Sequence, residues 1–168
     1  MALNAYLSIK GLKQGDIKGS VTQKGHEGKV MVIAAEHEVL SPRDVATGLP
    51  TGKRLHRPYV ITKEIDQSTP RLYTAMVGNE PLTACEIQFW APVTAGVGGT
   101  ATEQMRYVVR LTNASISDIR FHMPNNKNPD LMRYSEYEEV SFTYQKIEWT
   151  WVAGGVTASD DWSIPGPV

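Results

Sequence analysis

The side chains best suited to holding a metal ion in this chain are its four histidines and its single cysteine, Cys85. Zinc sites usually draw such ligands from short, regular spacings. No histidine pair has the His-x-x-x-His spacing, and the lone cysteine removes the usual thiolate partners. His37 lies between Glu36 and Glu38, but neighbouring residues of a strand point to opposite faces. The sequence therefore predicts no metal site among His26, His37, His56 and His122.

Three further patterns could serve catalysis or nucleotide binding, and each lacks the surroundings that its chemistry needs. Glu136, Glu138 and Glu139 could act as paired carboxylates on a glycoside, but they lie at the solvated start of a predicted strand. Residues 96–101 fall short of the Gly-x-Gly-x-x-Gly pattern and lie between two predicted strands, with no helix to receive a phosphate. No serine occupies a Gly-x-Ser-x-Gly elbow. The sequence therefore predicts a protein that is not an enzyme and that has no cofactor.

The charge balance argues against nucleic acid and membranes as partners. The 168 residues carry 17 basic and 18 acidic side chains, for a net charge of −1. The one basic run, residues 53–57, is too short and isolated to bind nucleic acid. No apolar segment approaches the ~20 residues that span a bilayer, and the first residues do not resemble a signal peptide. We expect cytoplasmic synthesis and, if the protein leaves the cell, a route that reads no N-terminal signal.

Most of the chain shows the alternation of apolar and polar residues that is typical of β-strands. These predicted strands must position the side chains described above. One segment, 70–77, has a helical period instead, with Thr69 suited to the N-cap, Pro70 to the first helical position and Gly78 to the stop. The fold class expected is mainly β: a compact two-sheet antiparallel β-barrel with one short α-helix at 70–77 and a long extended arm at 40–58. The predicted strands are 3–10, 29–39, 58–65, 83–91, 105–112, 116–122 and 137–152.

The apolar phase changes twice along these strands. Val140 and Phe142 occupy even positions, whereas Ile147 and Trp149 occupy odd ones, and a similar break falls around Asn113. Because side chains alternate with a period of two, such a change requires a bulge or moves the apolar face to another surface. We therefore predict strands that bend at Gln145–Lys146 and at Asn113 and serve two surfaces.

Residues 29–35 are apolar on both faces, although an antiparallel strand usually turns one face to water. Two explanations remain open. The second face of this strand, which includes Val30 and Val32, is covered either by the helix or a loop of the same chain, or by a neighbouring subunit.

The arm, residues 40–58, contains three prolines and two glycines, a composition that we expect to exclude regular structure. Loops of more than about 12–15 residues are uncommon unless they are functional. Val45, Leu49 and Leu55 are unusual choices for a freely solvated loop. These features favour an arm that lies on a neighbouring copy of the chain, the alternative being a flexible excursion.

The last residues form a separate tail in this interpretation, with a β-barrel domain at 1–153 and the tail at 154–168. A tryptophan, Trp162, is unexpected in a disordered tail. We therefore expect Asp160, Asp161 and Trp162 to dock either on their own barrel or on the next subunit.

Several motifs together resemble one protein family over nearly the whole chain. Residues 59–78 join an alternating strand to the short helix, and they include the run Tyr59-Val-Ile-Thr-Lys-Glu-Ile-Asp66. This pattern resembles the Hcp (hemolysin-coregulated protein) family of the bacterial type VI secretion system. The same resemblance extends to Ala5–Lys10, Asp16–Val21, Arg57–Asp66, Ser68–Tyr73, Glu138–Trp151 and Asp160–Trp162.

The resemblance implies a structural subunit of the type VI inner tube. Its implied partners are further copies of itself in homohexameric, stacked rings, the contractile sheath, the spike protein VgrG and secreted effectors. Sheath contraction would eject the tube from the cell without a signal peptide. The expected subunit interface comprises Val30, Val32, Arg43, Val45, Leu49, Leu55, Arg57, Asp160 and Trp162.

Two other functions are consistent with a β-rich chain that lacks a catalytic motif. A bacteriophage-type tail tube protein shares the architecture and would be distinguished by its genomic neighbours. A monomeric β-barrel that binds a small ligand would need an internal cavity, whereas Phe89, Tyr107, Phe142 and Trp149 predict a barrel filled by side chains.

Overall fold

The computed structural model describes residues 4–93 and 102–164. Within these ranges thirteen strands and one helix follow one another. Their bounds are β1 Asn4–Gly11, β2 Gly15–Ile17, β3 Val30–Val32, β4 Ala34–Glu36, β5 Val39–Leu40, β6 Leu55–His56, β7 Tyr59–Glu64, α1 Thr69–Val77, β8 Leu82–Val93, β9 Thr102–Thr112, β10 Ser115–His122, β11 Tyr137–Thr143, β12 Lys146–Trp151 and β13 Val156–Asp161.

The described strands form two principal antiparallel sheets and a short hairpin. The larger sheet has seven strands in the order β13-β12-β9-β8-β1-β2, with β3 also paired to β1. The smaller sheet has the order β10-β11-β7-β4, and β5 pairs with β6. The prediction of a mainly β, two-sheet antiparallel fold with one helix is confirmed. Closure into a barrel is not, because among the described strands no ladder joins the two sheets.

The helix forms where the sequence predicts it, although its first turn is organised differently. Ser68, rather than Thr69, is the N-cap residue, and its side chain makes no capping hydrogen bond. Asp66 stabilises the turn that leads into the helix, since its Oδ1 accepts from the Ser68 backbone N–H at 2.9 Å. Gly78 ends the helix, and its N–H donates to the Thr74 carbonyl at 3.0 Å. The buried side of α1 packs against β10.

The core lies between the two sheets and is closed on one side by α1. Alternate residues of β7 and β11 point into it, which is the period of two expected for a sheet with one buried face. Cys85 belongs to this core, as its alternation with Ile87 predicts. Burial raises the pKa of the Cys85 thiol to about 12. The buried members that contribute most volume include Leu7, Ile61, Leu72, Ile87, Phe142 and Ile147.

The predicted changes of phase mark the places where the chain passes from one sheet to the other. At Asn113, which has a φ of 49°, the chain leaves β9 of the larger sheet and enters β10 of the smaller one. At Tyr144–Gln145 it leaves β11 and enters β12. Because the sheets face each other across the core, the chain must shift its phase to keep apolar side chains pointing inward on both. The predicted break at these two places is confirmed, but the expectation of a second surface is wrong, because Ile116 and Ile147, beyond the two breaks, join the same core.

The strand at 29–35 also passes from one sheet to the other, as β3 and β4 separated by Ile33. Val30 is 0% exposed and Val32 is 5% exposed, and both belong to the subunit's own core. This corrects the expectation that these two valines contact a neighbour, because their side chains have almost no accessible surface left to bury. The face that remains exposed is formed by Met31 and Ile33, at 43% and 56%.

The arm is more regular than the sequence predicts. β5 and β6 form its base, and an antiparallel bridge joins Arg43 to Pro50 farther out. The arm's other two prolines and its two glycines lie outside the paired positions, and Pro50 pairs only in that bridge, so they permit a hairpin.

Part of the predicted tail is also ordered, because Val156–Asp161 forms β13 at the edge of the larger sheet. No helix in the described part of the chain is long and apolar enough to cross a membrane.

Candidate assembly surfaces

The tip of the arm is a compact turn organised by one carboxylate. Asp44 accepts hydrogen bonds from the backbone N–H of Ala46 at 3.0 Å, the backbone N–H of Thr47 at 2.7 Å and the Thr47 hydroxyl at 2.8 Å. The hydrogen bonds from Thr47 lower the pKa of Asp44. Gly48 adopts a φ of 69°, which a residue with a side chain rarely tolerates, and lets the chain return toward Leu49. The tip is therefore held in a defined shape by its own hydrogen bonds.

The side chains that this tip presents to solvent are apolar. Val45 is fully exposed, and Leu49 is 64% exposed. Leu55, nearer the base, is also exposed. An ordered projection that displays large aliphatic groups is a common sign of a protein contact surface.

The base of the arm is fastened to β13. Arg54 holds both carboxylate oxygens of Asp160 through its Nε and its Nη2, and Nη2 also donates to the Asp161 carbonyl at 2.8 Å. His56 Nε2 lies 2.7 Å from Asp160 Oδ2. The hydrogen bond from Arg54, followed by that from His56, holds the pKa of Asp160 below its usual range against the opposing effect of burial. Asp160 therefore makes an internal contact, which is one of the two alternatives expected for it, and its placement at a subunit interface stays a prediction.

A tyrosine hydroxyl joins the two strands of the arm. The Tyr144 hydroxyl lies 2.6 Å from His37 Nε2, just before β5, and 3.0 Å from His56 Nδ1, in β6. Burial raises the pKa of Tyr144 to about 12, with a contribution from Asp160. Burial, and then the neighbouring His56, lowers the pKa of His37. Trp162 completes this group, with its ring centroid 5.8 Å from that of His56.

A groove crosses the outer face of the smaller sheet and the loop that follows β10. Its volume is about 950 Å³. Ile33, Phe121 and Tyr134 contribute exposed apolar and aromatic surface to it. Glu64 and Glu139 also line it, so the groove is apolar with an acidic side.

The glutamates considered for catalysis are separated by the fold. Glu138 is buried and lies 2.7 Å from the Lys63 ammonium, whereas Glu139 lies in the groove. Lys63 also contacts Asp66 at 3.0 Å and the Thr69 hydroxyl at 3.0 Å. The hydrogen bonds from Ser68 and Lys63 outweigh burial and lower the pKa of Asp66. This buried ion pair joins β7 and β11 to the start of α1 and is closed to substrate.

The histidines fall into three separate places. His37 and His56 meet at Tyr144, His26 is buried and stacks on Tyr6, and His122 stacks on Tyr137. Among the described residues, no group of three or more histidine, cysteine, aspartate or glutamate side chains could hold a metal ion.

The expected interface residues thus have different surroundings. Arg43, Val45, Leu49, Leu55 and Arg57 lie exposed on the arm, and Trp162 is 42% exposed beside its base. Sequence reasoning missed the groove. The alternation of Met31 and Ile33 with the buried valines could have indicated one side of the groove. No pattern in the sequence indicated Phe121 or Tyr134. Residues 96–101, considered above for phosphate binding, lie outside the described residues.

Comparisons with known proteins agree over nearly the whole chain. A family model described as "Type VI secretion system effector, Hcp" matches residues 6–151. The "Major exported protein" of Pseudomonas aeruginosa is 42% identical over 174 residues, which cover 98% of each chain.

Solved structures give the same result. The chain is similar to a structure described as that of an Hcp protein, with a TM-score of 0.84 and 31% identity over 96% of this chain and 98% of the other. It is also similar to the Hcp1 protein of E. coli EAEC 042, with a TM-score of 0.81 and 34% identity over 96% and 99%. The secreted protein Hcp3 of Pseudomonas aeruginosa has a TM-score of 0.75 and 36% identity over 96% and 99%.

Proposed function

Because the chain belongs to the Hcp family of the type VI secretion system, we propose that it is a structural subunit of the secretion tube. In this proposal six copies form a ring, and rings stack into a tube inside the contractile sheath. Contraction of the sheath ejects the tube together with the spike protein VgrG. Effectors travel in the ring lumen or on the spike, and no signal peptide is required.

The observation that carries this proposal is the presence of two dissimilar apolar surfaces on one subunit. The first is the arm tip, with Val45 and Leu49, and the second is the groove that includes Ile33 and Phe121. A contact between two different surfaces of identical subunits is head-to-tail, and such contacts produce closed rings or stacks. A single self-complementary patch would instead favour a twofold dimer.

Charge supports the same pairing of surfaces. The arm carries the cations Arg43 and Lys53, which form no ion pair among the described residues, and the groove carries Glu64 and Glu139 beside the cation Arg133. Opposite charges at the rim of an apolar contact favour encounter and fix its register. We therefore place the arm of one subunit on the groove side of its neighbour within the ring. In this placement the arm stays at the within-ring interface. The strand face that lies at this interface is formed by Met31 and Ile33, instead of the buried Val30 and Val32.

The alternative of a monomeric ligand-binding barrel is less well supported. Phe142 is fully buried between the sheets, and Phe89, Tyr107 and Trp149 pack against the same core. Side chains therefore occupy the space in which an internal ligand would bind. The chemistry of the described residues likewise offers no assembled catalytic group, which accords with a structural role.

The mass of the purified protein in solution, measured by light scattering together with negative-stain imaging, tests the proposal. We expect a mass near six subunits and open rings. The double substitution Val45→Asp with Leu49→Asp places two charges on the arm tip and should give a folded monomer at the same concentration. Ile33→Asp should have the same effect from the groove side.

The matched control is Leu12→Asp, which adds a charge at another exposed apolar residue, in the turn between β1 and β2. This variant should keep the mass of the unsubstituted protein. A monomeric unsubstituted chain at high concentration, or rings that persist with both arm substitutions, would contradict the proposal. Rings that survive Ile33→Asp alone would remove the groove as the acceptor of the arm.

A further inference from the structure

Both strands of the arm are attached to one atom of the body, the Tyr144 hydroxyl oxygen. His37 Nε2 approaches it at 2.6 Å and His56 Nδ1 at 3.0 Å. The same oxygen lies 3.4 Å from the Arg57 carbonyl. Tyr144 itself is only 4% exposed and belongs to the core, at the crossing between β11 and β12. The position of the arm is therefore linked to the body through two imidazole rings.

Both hydrogen bonds to the Tyr144 hydroxyl can form only in certain protonation states of the two histidines. Each of its two short hydrogen bonds needs one hydrogen, and the tyrosine hydroxyl supplies one of them. One of the two facing nitrogens must therefore carry a hydrogen while the other accepts. If both nitrogens carry hydrogens, both donate to the same oxygen, and the hydroxyl hydrogen must turn toward the more distant Arg57 carbonyl.

The charges around the two histidines differ. His56 turns its other nitrogen to Asp160, which is shared with the Arg54 guanidinium, and Asp161 follows Asp160 on β13. A proton on His56 therefore has a carboxylate partner.

His37 faces mostly aromatic groups. Its ring is stacked on Tyr59 of β7 with centroids 5.2 Å apart, and Trp149 of β12 lies 6.2 Å away. The His56 ring lies 6.4 Å away between ring centroids. Next to the junction, Glu38 and Arg57 form an exposed ion pair of their own at 3.6 Å. A proton added to His37 would thus have aromatic rings and a second histidine as its neighbours, with no carboxylate of the described residues in ion-pair contact.

We propose that the junction of His37, Tyr144 and His56 is a pH-sensitive latch that holds the base of the arm when the facing nitrogens share one hydrogen and releases it when both facing nitrogens carry hydrogens. The consequence for assembly rests on the proposed function, in which the arm contacts a neighbouring subunit. The pKa of Asp160 is lowered and that of Arg54 is raised, so both remain charged in the range in which His37 gains its proton.

Acid favours the state of the arm in which His37 binds its proton more tightly, and that state is the open arm. The pKa of His37 in the folded latch is below its value in an opened arm. The closed latch is therefore favoured above the ordinary histidine pKa of about 6.5 and loses stability as the pH falls below it.

Hydrogen exchange of the full chain at pH 7.5 and pH 5.5, corrected for the intrinsic exchange rates, reports on the latch whatever the assembly state. We expect the arm amides, including the Arg57 N–H that donates to the Glu38 carbonyl, to exchange faster at pH 5.5 than at pH 7.5, because protonation favours the open arm. The amides of β8 and β9 should not change. His37→Gln, whose amide group can donate or accept but does not titrate, should remove the pH step.

Two further variants complete the test. Tyr144→Phe keeps the packing of the ring but removes the shared oxygen, so the arm amides should exchange rapidly at both pH values. His26→Gln changes a histidine that stacks on Tyr6, away from both the junction and the groove, and should keep the pH step in the arm. A melting temperature near that of the unsubstituted chain at pH 7.5 shows that each variant is folded.

Arm exchange that is equal at the two pH values, or a pH step that persists in His37→Gln, would overturn the latch. The mass in solution, measured in parallel, separates this result from the proposed function. An arm that opens at pH 5.5 in a chain that is monomeric at both pH values supports the latch and contradicts the assembly. Rings at both pH values with a closed arm support the assembly and contradict the latch.

Discussion

The side-chain amide of Asn113 donates a hydrogen bond of 2.6 Å to Gln145 Oε1. These two residues lie at the two crossings, β9 to β10 and β11 to β12, where the chain passes between the sheets. The Gln145 backbone N–H strengthens the link by donating to the Thr112 carbonyl at 3.0 Å. The two crossings are therefore fastened to each other, and the relative position of the two sheets depends on this contact.

Substitutions at Asn113 should separate the role of its backbone from that of its side chain. Asn113→Val places a β-branched residue at a φ of 49° and should lower the free energy of unfolding by about 2–3 kcal/mol, from the left-handed strain and the lost hydrogen bond. Asn113→Gly loses only the hydrogen bond and tolerates the backbone, so its loss should be about 1 kcal/mol. Urea unfolding measures both, and equal losses would contradict the role of the backbone.

The buried pair of Lys63 and Glu138 should behave as one unit. Lys63→Met leaves the Glu138 carboxylate buried without its cation and should lower the free energy of unfolding by about 3–5 kcal/mol. Adding Glu138→Leu removes the stranded charge, so the double variant should recover most of that loss. Urea unfolding of both single variants and the double variant forms the test. Additive losses would show that the two side chains do not stabilise each other.

Acid should weaken the attachment of β6 to β13 through Asp160. Its folded pKa is lowered, chiefly by Arg54, so the stabilisation is fully present above the ordinary aspartate pKa of about 3.9 and disappears as the pH falls through the folded value. Asp160→Asn should cost about 1–2 kcal/mol at pH 7, a value reduced by partial solvent screening. The difference between the variant and the unsubstituted chain should shrink toward pH 2. A constant difference over that range would contradict the assignment.

Cys85 should resist alkylation in the native protein. It is fully buried and its thiol pKa is raised to about 12, so the reactive thiolate fraction at pH 8 is about one in ten thousand. We expect no measurable reaction with iodoacetamide over one hour in buffer and complete reaction in 6 M guanidinium, where burial is lost. Intact mass measures both, and rapid native labelling would mean that this part of the core opens readily.

The regular elements could be predicted from the sequence because their signals are local. The helix at Thr69–Val77 follows from a helical apolar period between Pro70 and Gly78. The crossings at Asn113 and Gln145 follow from phase changes that any strand with a period of two must show. The buried position of Cys85 follows from alternation along a single strand.

What the sequence by itself determined was which residues share a face, and what the tertiary structure decided was which face is inside and which distant residues meet. Val30 and Met31 alternate in any strand, but only the packing of β3 against the core buries Val30 and leaves Met31 exposed. His37 and His56 meet at Tyr144 across 107 and 88 residues of chain. The physical reason is that alternation is fixed by the backbone within a few residues, whereas such contacts depend on how the two sheets and the arm pack together.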